Sequence, residues 1–452
     1  MDKLITNNTP SSEAPFLTEL FRCLGESSFS YCVLRNYEAL PSSLDGSDLD
    51  LLVLPDDRDG IADLVKEVAG QCGGKVIADY ATGGRFIKLL GCYEGQWWGC
   101  AVDLLAGIDY RGMVYVSSSP MLLRSEDYKG IKVASAADIE VMALLKELVN
   151  NGKTRKNYFS EAVESHQKWG DQSLEILRET FSNDLIAKFK VMLEKQPERD
   201  APLSKIAKAM RHEIWAKHGV VQAGALVKNL LCRIKRIWQP PGCSLAVTGT
   251  DGSGKTTVIK SIEPVLERAI HTEIKYEHMR PNWLKALGVA TGKRSVDDGD
   301  VVEDPHGKKP SGFFGSLIRL GYYTVDYLFG YWVKIYPQLI KRVNLYLFDR
   351  YCYDMIIDPL RMRIKLPSRL IQIVFSIVPK PSLVLCLGGD PEKIYARKPE
   401  TSLEEVKKQV ADLKSFCEKE RRAVWIDTDC EIKESKNQAL SAVLEAMSER
   451  YQ

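Results

Sequence analysis

The stretch SLAVTGTDGSGKTT, residues 244–257, decides the fold of the C-terminal half of the chain. Its opening run, SLAVT, has the length and apolar character of a buried strand. That run passes straight into Gly249-Thr250-Asp251-Gly252-Ser253-Gly254-Lys255-Thr256-Thr257, which fits G-x-x-x-x-G-K-[ST] in a strand-to-helix context. The residue types follow from phosphate chemistry. Glycines let backbone N–H groups turn inward around phosphate oxygens, and the N-terminus of the next helix adds partial positive charge. In this pattern Lys255 bridges the β- and γ-phosphates and Thr256 ligates Mg²⁺. Gly249, Asp251, Gly252, Ser253, Gly254, Lys255, Thr256 and Thr257 are therefore the expected binding set for ATP with Mg²⁺.

Working outward, the break Pro240-Pro241-Gly242 precedes this strand, and EIKYEHM (273–279), VNLYLFD (343–349), LVLCLG (383–388) and AVWID (423–427) follow it, separated by longer helical or loop segments. Such alternation predicts a parallel sheet flanked by helices.

Asp251 inside the loop and the doubled Thr256-Thr257 resemble the GxDGxGKTT form of the thymidylate kinase family. Two later landmarks extend the resemblance. The second strand ends in Arg280-Pro281, where the family places an arginine on the phosphate of the acceptor. The third ends in Asp349-Arg350-Tyr351, similar to a family motif whose acid lies near the metal and whose arginine contacts the acceptor phosphate. The resemblance thus implies that Thr256 and Asp349 hold Mg²⁺, and that Arg280 and Arg350 clamp an anionic acceptor opposite the γ-phosphate. After LVLCL, Asp390-Pro391-Glu392 and Arg397-Lys398 look like the segment leading into the family's lid. Arg397 there stabilises the transferring phosphoryl group, the alternative being a solvated basic pair on a helix.

The chain also departs from the family. It reads Arg280-Pro281-Asn282-Trp283 where a Pro-Gly-Gly-Thr type loop belongs, then inserts SVDDGDVVEDPHGKKPSG (295–312) and FFGSLIRLGYYTVDYLFGYWVKIYP (313–337). Arg319, Asp326 and Lys334 interrupt the apolar insert, so a buried or interfacial helix pair is expected and not a bilayer span. Asp358-Pro359 and Arg361 are candidates for further acceptor contacts, or simply a helix boundary. ATP carries over from the family; dTMP as acceptor does not.

The N-terminal part alternates apolar runs with Gly, Asp and Pro breaks: YCVLR (31–35), DLDLLVL (48–54), FIKLL (86–90), CAVDLL (100–105) and MVYV (113–116). These predict strands. Asp48 and Asp50 stand at i and i+2 and face one side, and Asp103 lies in an apolar strand where an isolated acid is costly. Three convergent carboxylates suit a Mg²⁺ site for attack on the α-phosphate of a nucleoside triphosphate. The segment resembles the polymerase β type of nucleotidyltransferase, with its Asp-x-Asp pair and third acid. That family's Gly-Ser pair stands about ten residues before the acids, whereas here Gly46-Ser47 abuts Asp48 and Arg35-Asn36-Tyr37 occupies the usual place. A degenerate domain retained for binding or structure is the alternative. Lys88 is expected to snorkel at the surface.

From Ser135 the texture becomes helical. Ser135 and Asp138 form a capping-box pattern ahead of IEVMALLKELV, Gly152 supplies a stop, and SLEILRETF (173–181), LIAKFKVMLEK (185–195) and GALVKNLLCRIKRIW (224–238) continue the periodicity. In residues 226–238, Lys228, Arg233, Lys235 and Arg236 sit among apolar residues. A packed linker helix with a solvated basic rim is expected; a peripheral helix on an anionic membrane is the alternative.

Three domains are therefore expected within 452 residues: a nucleotidyltransferase-like α/β domain (1–125), a helical connector (126–238) and a P-loop α/β domain (239–452). A net charge of +2 proposes no nucleic-acid partner, and eleven cysteines without a CxxC pair read as free thiols in a reducing cytosol. The N-terminus shows no secretory pattern, which places the protein in the cytoplasm, with the inner membrane face as the alternative. The two-headed layout resembles bacterial proteins of surface-polysaccharide assembly. The expected activity is phosphoryl transfer from ATP to a glycan, sugar or nucleotide acceptor, the nucleotidyltransferase head adding a second activity. The alternatives are a dTMP-type nucleoside monophosphate kinase with a degenerate N-terminal domain, and a nucleotide-controlled switch or scaffold.

Overall fold

A computed structural model describes residues 11–195, 200–284, 311–341, 343–399 and 401–451. The chain divides into two compact units, Met1–Trp238 and Gln239–Gln452, and both are α/β.

In the first unit the strands are β1 (Tyr31–Val33), β2 (Leu49–Val53), β3 (Gly74–Thr82), β4 (Gly84–Tyr93), β5 (Gln96–Leu105), β6 (Gly107–Tyr110), β7 (Met113–Ser117), β8 (Glu126–Tyr128) and β9 (Ile131–Val133). Seven of them form a mixed sheet in the order β3-β4-β5-β2-β1-β9-β8, and β6 and β7 pair separately. Side-chain alternation splits this sheet between two cores. Leu49, Leu51, Val53, Val102 and Leu104 pack with helices Ala14–Glu26 and Arg58–Gln71, where Phe16 stacks on Trp98 at 5.0 Å. Leu52 and Leu105 join the opposite core, formed with helices Ala136–Asn151, Asn183–Lys195 and Asp200–His218. Asp50 and Asp103, two residues from Leu52 and Leu105, share that second face.

Residues 126–238 differ from a free-standing connector. Their helices complete a core with the strands, and β8 and β9, both beyond residue 125, extend the sheet. The β8–β9 hairpin closes through Lys129 (φ 54°) and Gly130 (φ 84°), positive at both central residues as a tight two-residue turn requires. The run SLEILRETF forms mainly 3₁₀ turns over Gly170–Leu177, with Ser173 Oγ donating to the Gly170 carbonyl.

Helix Ala136–Asn151 starts and stops where its sequence dictates. Ser135 Oγ accepts from the Ala137 N–H at 3.4 Å, and Gly152, at φ 73°, donates to the Leu148 carbonyl at 2.8 Å. Asp138, however, spends both carboxylate oxygens on Arg124 at 3.0 Å, and so does not complete a capping box. Gly152→Ala, which forces a Cβ into the left-handed region, is expected to cost about 1 kcal/mol and lower the urea midpoint without changing its slope.

In the second unit β10 (Cys243–Gly249), β11 (Lys275–His278), β12 (Leu345–Asp349), β13 (Leu383–Gly388) and β14 (Ala423–Asp427) form an all-parallel sheet in the order β11-β12-β10-β13-β14. All seven residues of β10 are buried, as a central strand covered on both faces demands. Helices Lys255–Ile270 and Ile432–Ser448 pack on each other. Ala246, Phe348 and Val384 share a core with Tyr323 and Tyr327 of helix Phe313–Gly330, Ile371 of helix Ser368–Phe375 and Leu413 of helix Leu403–Lys419.

The apolar insert is one helical run and not a pair. Helix Phe313–Gly330 continues through a π turn, Tyr331–Ile335, into helix Tyr336–Lys341. Gly330 stays helical at φ −61° because its role is close approach: a Cβ there would lie 2.5 Å from Pro281. The three interrupting charges staple the insert in place. Asp326 binds Arg280, Lys334 binds Glu277 at 2.6 Å, and Arg319 donates to Ser311 Oγ at 2.9 Å. Of SVDDGDVVEDPHGKKPSG, residues 295–310 lie outside the described set. All eleven cysteines are free. Among the described residues, no helix is long and apolar enough to cross a membrane.

Candidate functional site

At the carboxyl end of β10, Gly252 and Gly254 both take φ 83°, a conformation that β-carbons resist. A Cβ on Gly252 would also lie 2.7 Å from the Ile394 carbonyl oxygen. Helix Lys255–Ile270 then begins, with Thr256 and Thr257 exposed at its start and Lys255 turned inward. Lys255 Nζ donates to the carbonyls of Gly249 (2.9 Å) and Thr250 (2.8 Å) and lies 3.8 Å from Asp251 Oδ1. Burial, then the charge of Arg350, pulls its pKa down to about 7, against the attraction of Asp251, Asp354 and Asp349.

On the neighbouring strand, Asp349 accepts from Tyr276 Oη at 2.7 Å, with the His278 ring 3.7 Å away. Burial would raise this carboxyl, but the His278 ring, Tyr276 and Lys255 hold it down to about 2. Arg350 follows at φ 73°. Its guanidinium binds Asp354 at 3.0 Å, the Gly249 carbonyl at 3.4 Å, and Asp251. Asp251 is shared with Arg361, whose Nη1 donates to Oδ2 at 2.6 Å. Although burial opposes it, the charges of Arg350, Lys255 and Arg361 keep Asp251 well below the usual carboxylate range. Asp354 is fixed in turn by Thr248 Oγ1 at 3.0 Å. A small cleft is lined by Thr248, Asp251, Arg350, Asp354, Arg361 and Gln409.

Three polar atoms around this loop are buried without a hydrogen-bond partner: Thr250 Oγ1, Ser253 Oγ and Asp349 Oδ1. Buried polar atoms are nearly always satisfied, so a cluster of exceptions marks a place where a ligand or ion completes the bonding. Two glycines at positive φ, a buried lysine, an exposed Thr256 and an unsatisfied Asp349 oxygen are thus gathered around one loop.

Arg280 and Arg397 are placed differently from the other candidates. Arg280 Nη1 binds Asp326 at 2.8 Å and the Leu284 carbonyl at 3.1 Å, and Leu284 N–H donates to the other Asp326 oxygen at 2.6 Å. Asp326 is wholly buried, so its charge needs that guanidinium. Arg397 is exposed, and its Nη2 donates to the Thr428 carbonyl at 3.1 Å, just beyond β14. Asp358 caps the turn Pro359–Met362 by accepting from Arg361 N–H, which is the helix-boundary role. Asp326→Ala, which strands Arg280 in a buried site, is expected to destabilise the C-terminal unit by about 3–5 kcal/mol in denaturant titration.

The first unit brings its three acids together. Parallel pairing sets Asp50 opposite Asp103, and one oxygen each from Asp48, Asp50 and Asp103 lie within 4.8 Å of one another. Two cations already serve them. Arg35 Nε lies 2.6 Å from Asp50 and its Nη2 3.5 Å from Asp48, while its Nη1 donates to Tyr158 Oη at 3.3 Å. Lys88, expected at the surface, is instead buried with Nζ 3.3 Å from Asp103. The reason is register: Phe86 faces Asp103, so Lys88 is the diagonal neighbour on the same face. Burial raises the Asp50 carboxyl, and burial pushes Asp103 up to about 6 despite Lys88. Gly46-Ser47 forms a tight turn, with Ser47 Oγ donating to the Leu44 carbonyl at 2.6 Å, and starts no helix. Beside the cluster a cavity of about 260 Å³ has an apolar wall of Leu34, Leu105 and Met142 and a polar rim including Arg35, Asp50 and Tyr158.

The chain matches no family model. No curated protein matches it either.

The carboxylate trio fits a divalent cation in donor type and spacing, in competition with Arg35 and Lys88. Arg35→Ala is expected to tighten Mn²⁺ binding about ten-fold by calorimetry, and to lower the melting temperature only while metal is withheld.

Proposed function

We propose that the C-terminal unit is an ATP-dependent phosphotransferase of the P-loop, thymidylate kinase-like type, joined to a nucleotidyltransferase-like N-terminal unit. The observation that carries this reading is the trio of unsatisfied buried atoms, Thr250 Oγ1, Ser253 Oγ and Asp349 Oδ1, around a glycine loop that already holds Lys255 in place. Lys255 neutralises phosphate charge, and the backbone N–H groups of 250–256 orient the triphosphate. Thr256 and Asp349 would hold Mg²⁺, which would offset charge on the β- and γ-phosphates.

Charge balance favours a hydroxyl of a glycan or sugar as acceptor over a nucleoside monophosphate. Among the described residues, the three guanidiniums expected to meet an acceptor each already have a carboxylate: Arg280 has Asp326, Arg350 has Asp251 and Asp354, and Arg361 has Asp251. An anion would enter a compensated site, whereas hydroxyl groups can donate to Asp251 and accept from Arg361 and Gln409 without disturbing the balance. Asp251, held ionised, then orients the acceptor. This choice agrees with the layout's resemblance to proteins of surface-polysaccharide assembly.

For the N-terminal unit, Asp48, Asp50 and Asp103 would hold the metal and the adjacent cavity the acceptor. Incubation with γ-labelled ATP and panels of glycans, sugars and nucleoside monophosphates tests the first head. Label is expected on a neutral glycan or sugar and is lost, by at least about 100-fold, in Lys255→Met; label reaching only water would remove the kinase reading. With α-labelled nucleotides, pyrophosphate release that disappears in Asp48→Ala/Asp50→Ala supports an active second head, and none from the intact protein makes it a binding domain.

A further inference from the structure

Helix Ala223–Trp238 closes the first unit and has one buried residue, Asn229. It touches its own unit along one side. Leu226 packs against the helical core, Gly112 sits against Asn229 and the Ala225 carbonyl, and the Arg236 guanidinium lies 5.1 Å from the centre of the Tyr80 ring. At 100° per residue the opposite side carries Val227, Leu230, Leu231, Ile234, Ile237 and Trp238 in a stripe of roughly 120°. All six are exposed, from 43% for Ile234 to 82% for Trp238. The packed linker helix expected from the sequence would bury that stripe, since burial is what such an amphipathic pattern ordinarily serves.

Charge says what suits this face. Lys228 and Lys235 border the stripe on one edge and Arg233 stands beyond the other. Residues 214–250 contain five lysines and arginines and not one aspartate or glutamate. A second copy of this surface would set like charges against like, whereas an anionic lipid surface offers an apolar layer for the stripe and phosphates for the rim. Trp238 at the end of the stripe is the residue type that settles at headgroup depth. At about 24 Å and with this many charges the helix lies in the interface and does not span.

We infer that helix Ala223–Trp238 is a peripheral membrane-docking element that binds anionic lipid, with Val227, Leu230, Leu231, Ile234, Ile237 and Trp238 entering the headgroup–acyl boundary and Lys228, Arg233 and Lys235 meeting phosphates. The inference is independent of which reactions the two units catalyse.

The full-length protein is sedimented with phosphatidylcholine vesicles and with vesicles enriched in phosphatidylglycerol, at low and at high salt. It is expected to pellet with the anionic vesicles alone and to be released by salt. Leu230→Glu/Ile234→Glu and Lys228→Glu/Lys235→Glu should each weaken binding at least about ten-fold while melting as the parent does. Failure of the parent to pellet with anionic vesicles overturns the proposal, as does equal pelleting by both variants. A marked fall in melting temperature of Leu230→Glu/Ile234→Glu overturns it by showing the stripe covered within the chain. A parent dimer that this variant splits overturns it in favour of a second copy.

Discussion

Asp251 is a single carboxylate held by two guanidiniums, and the geometry around the glycine loop depends on it. Arg350 reaches it from a left-handed backbone position at the end of β12, and Arg361 reaches it from the turn capped by Asp358. Because Arg350 also binds Asp354 and the Gly249 carbonyl, the loop, β12 and the turn after it are fixed to one another by one network. Low dielectric makes such a network strong when complete and costly when any member is lost. That cost keeps the loop rigid where flexible glycines would otherwise dominate.

The N-terminal unit solves the same electrostatic problem with a different topology. Three acids brought together would repel one another strongly, and Arg35, from just beyond β1, and Lys88, from β4, offset them. The cluster is therefore stable as it stands and still chemically suited to a divalent ion. Burial raises two of its carboxyls, Asp50 and Asp103, against the pull of Arg35 and Lys88.

Much of this architecture was legible in the chain. All five C-terminal strands were readable, because a parallel sheet buried on both faces writes itself as apolar runs; Asp48 and Asp50 were readable through the period of two, and Asp103 as an acid in an apolar run. Residues joined by long-range pairing were not. Nothing local shows that Asp326 serves Arg280, 46 residues away in sequence, or that Lys88 turns inward, since that depends on which residue of β5 lies beside it. Strands β3, β6, β8 and β9 escaped notice because lysine, aspartate and glycine dilute their alternation. The helix Ala223–Trp238 shows the deeper limit: periodicity reveals that a helix has an apolar side, and says nothing about what covers it.

The inserted helical run and the segment of β11 with the residues just after it are tied together three times, by Asp326 with Arg280, by Lys334 within the π turn with Glu277, and by the close approach of Gly330 to Pro281. Each tie needs both partners, and two of the three involve charges that are costly to leave alone. Strand and insert therefore form one mechanical piece: a graft of residues 313–341 into another chain would hold its place only if residues 275–284 travelled with it.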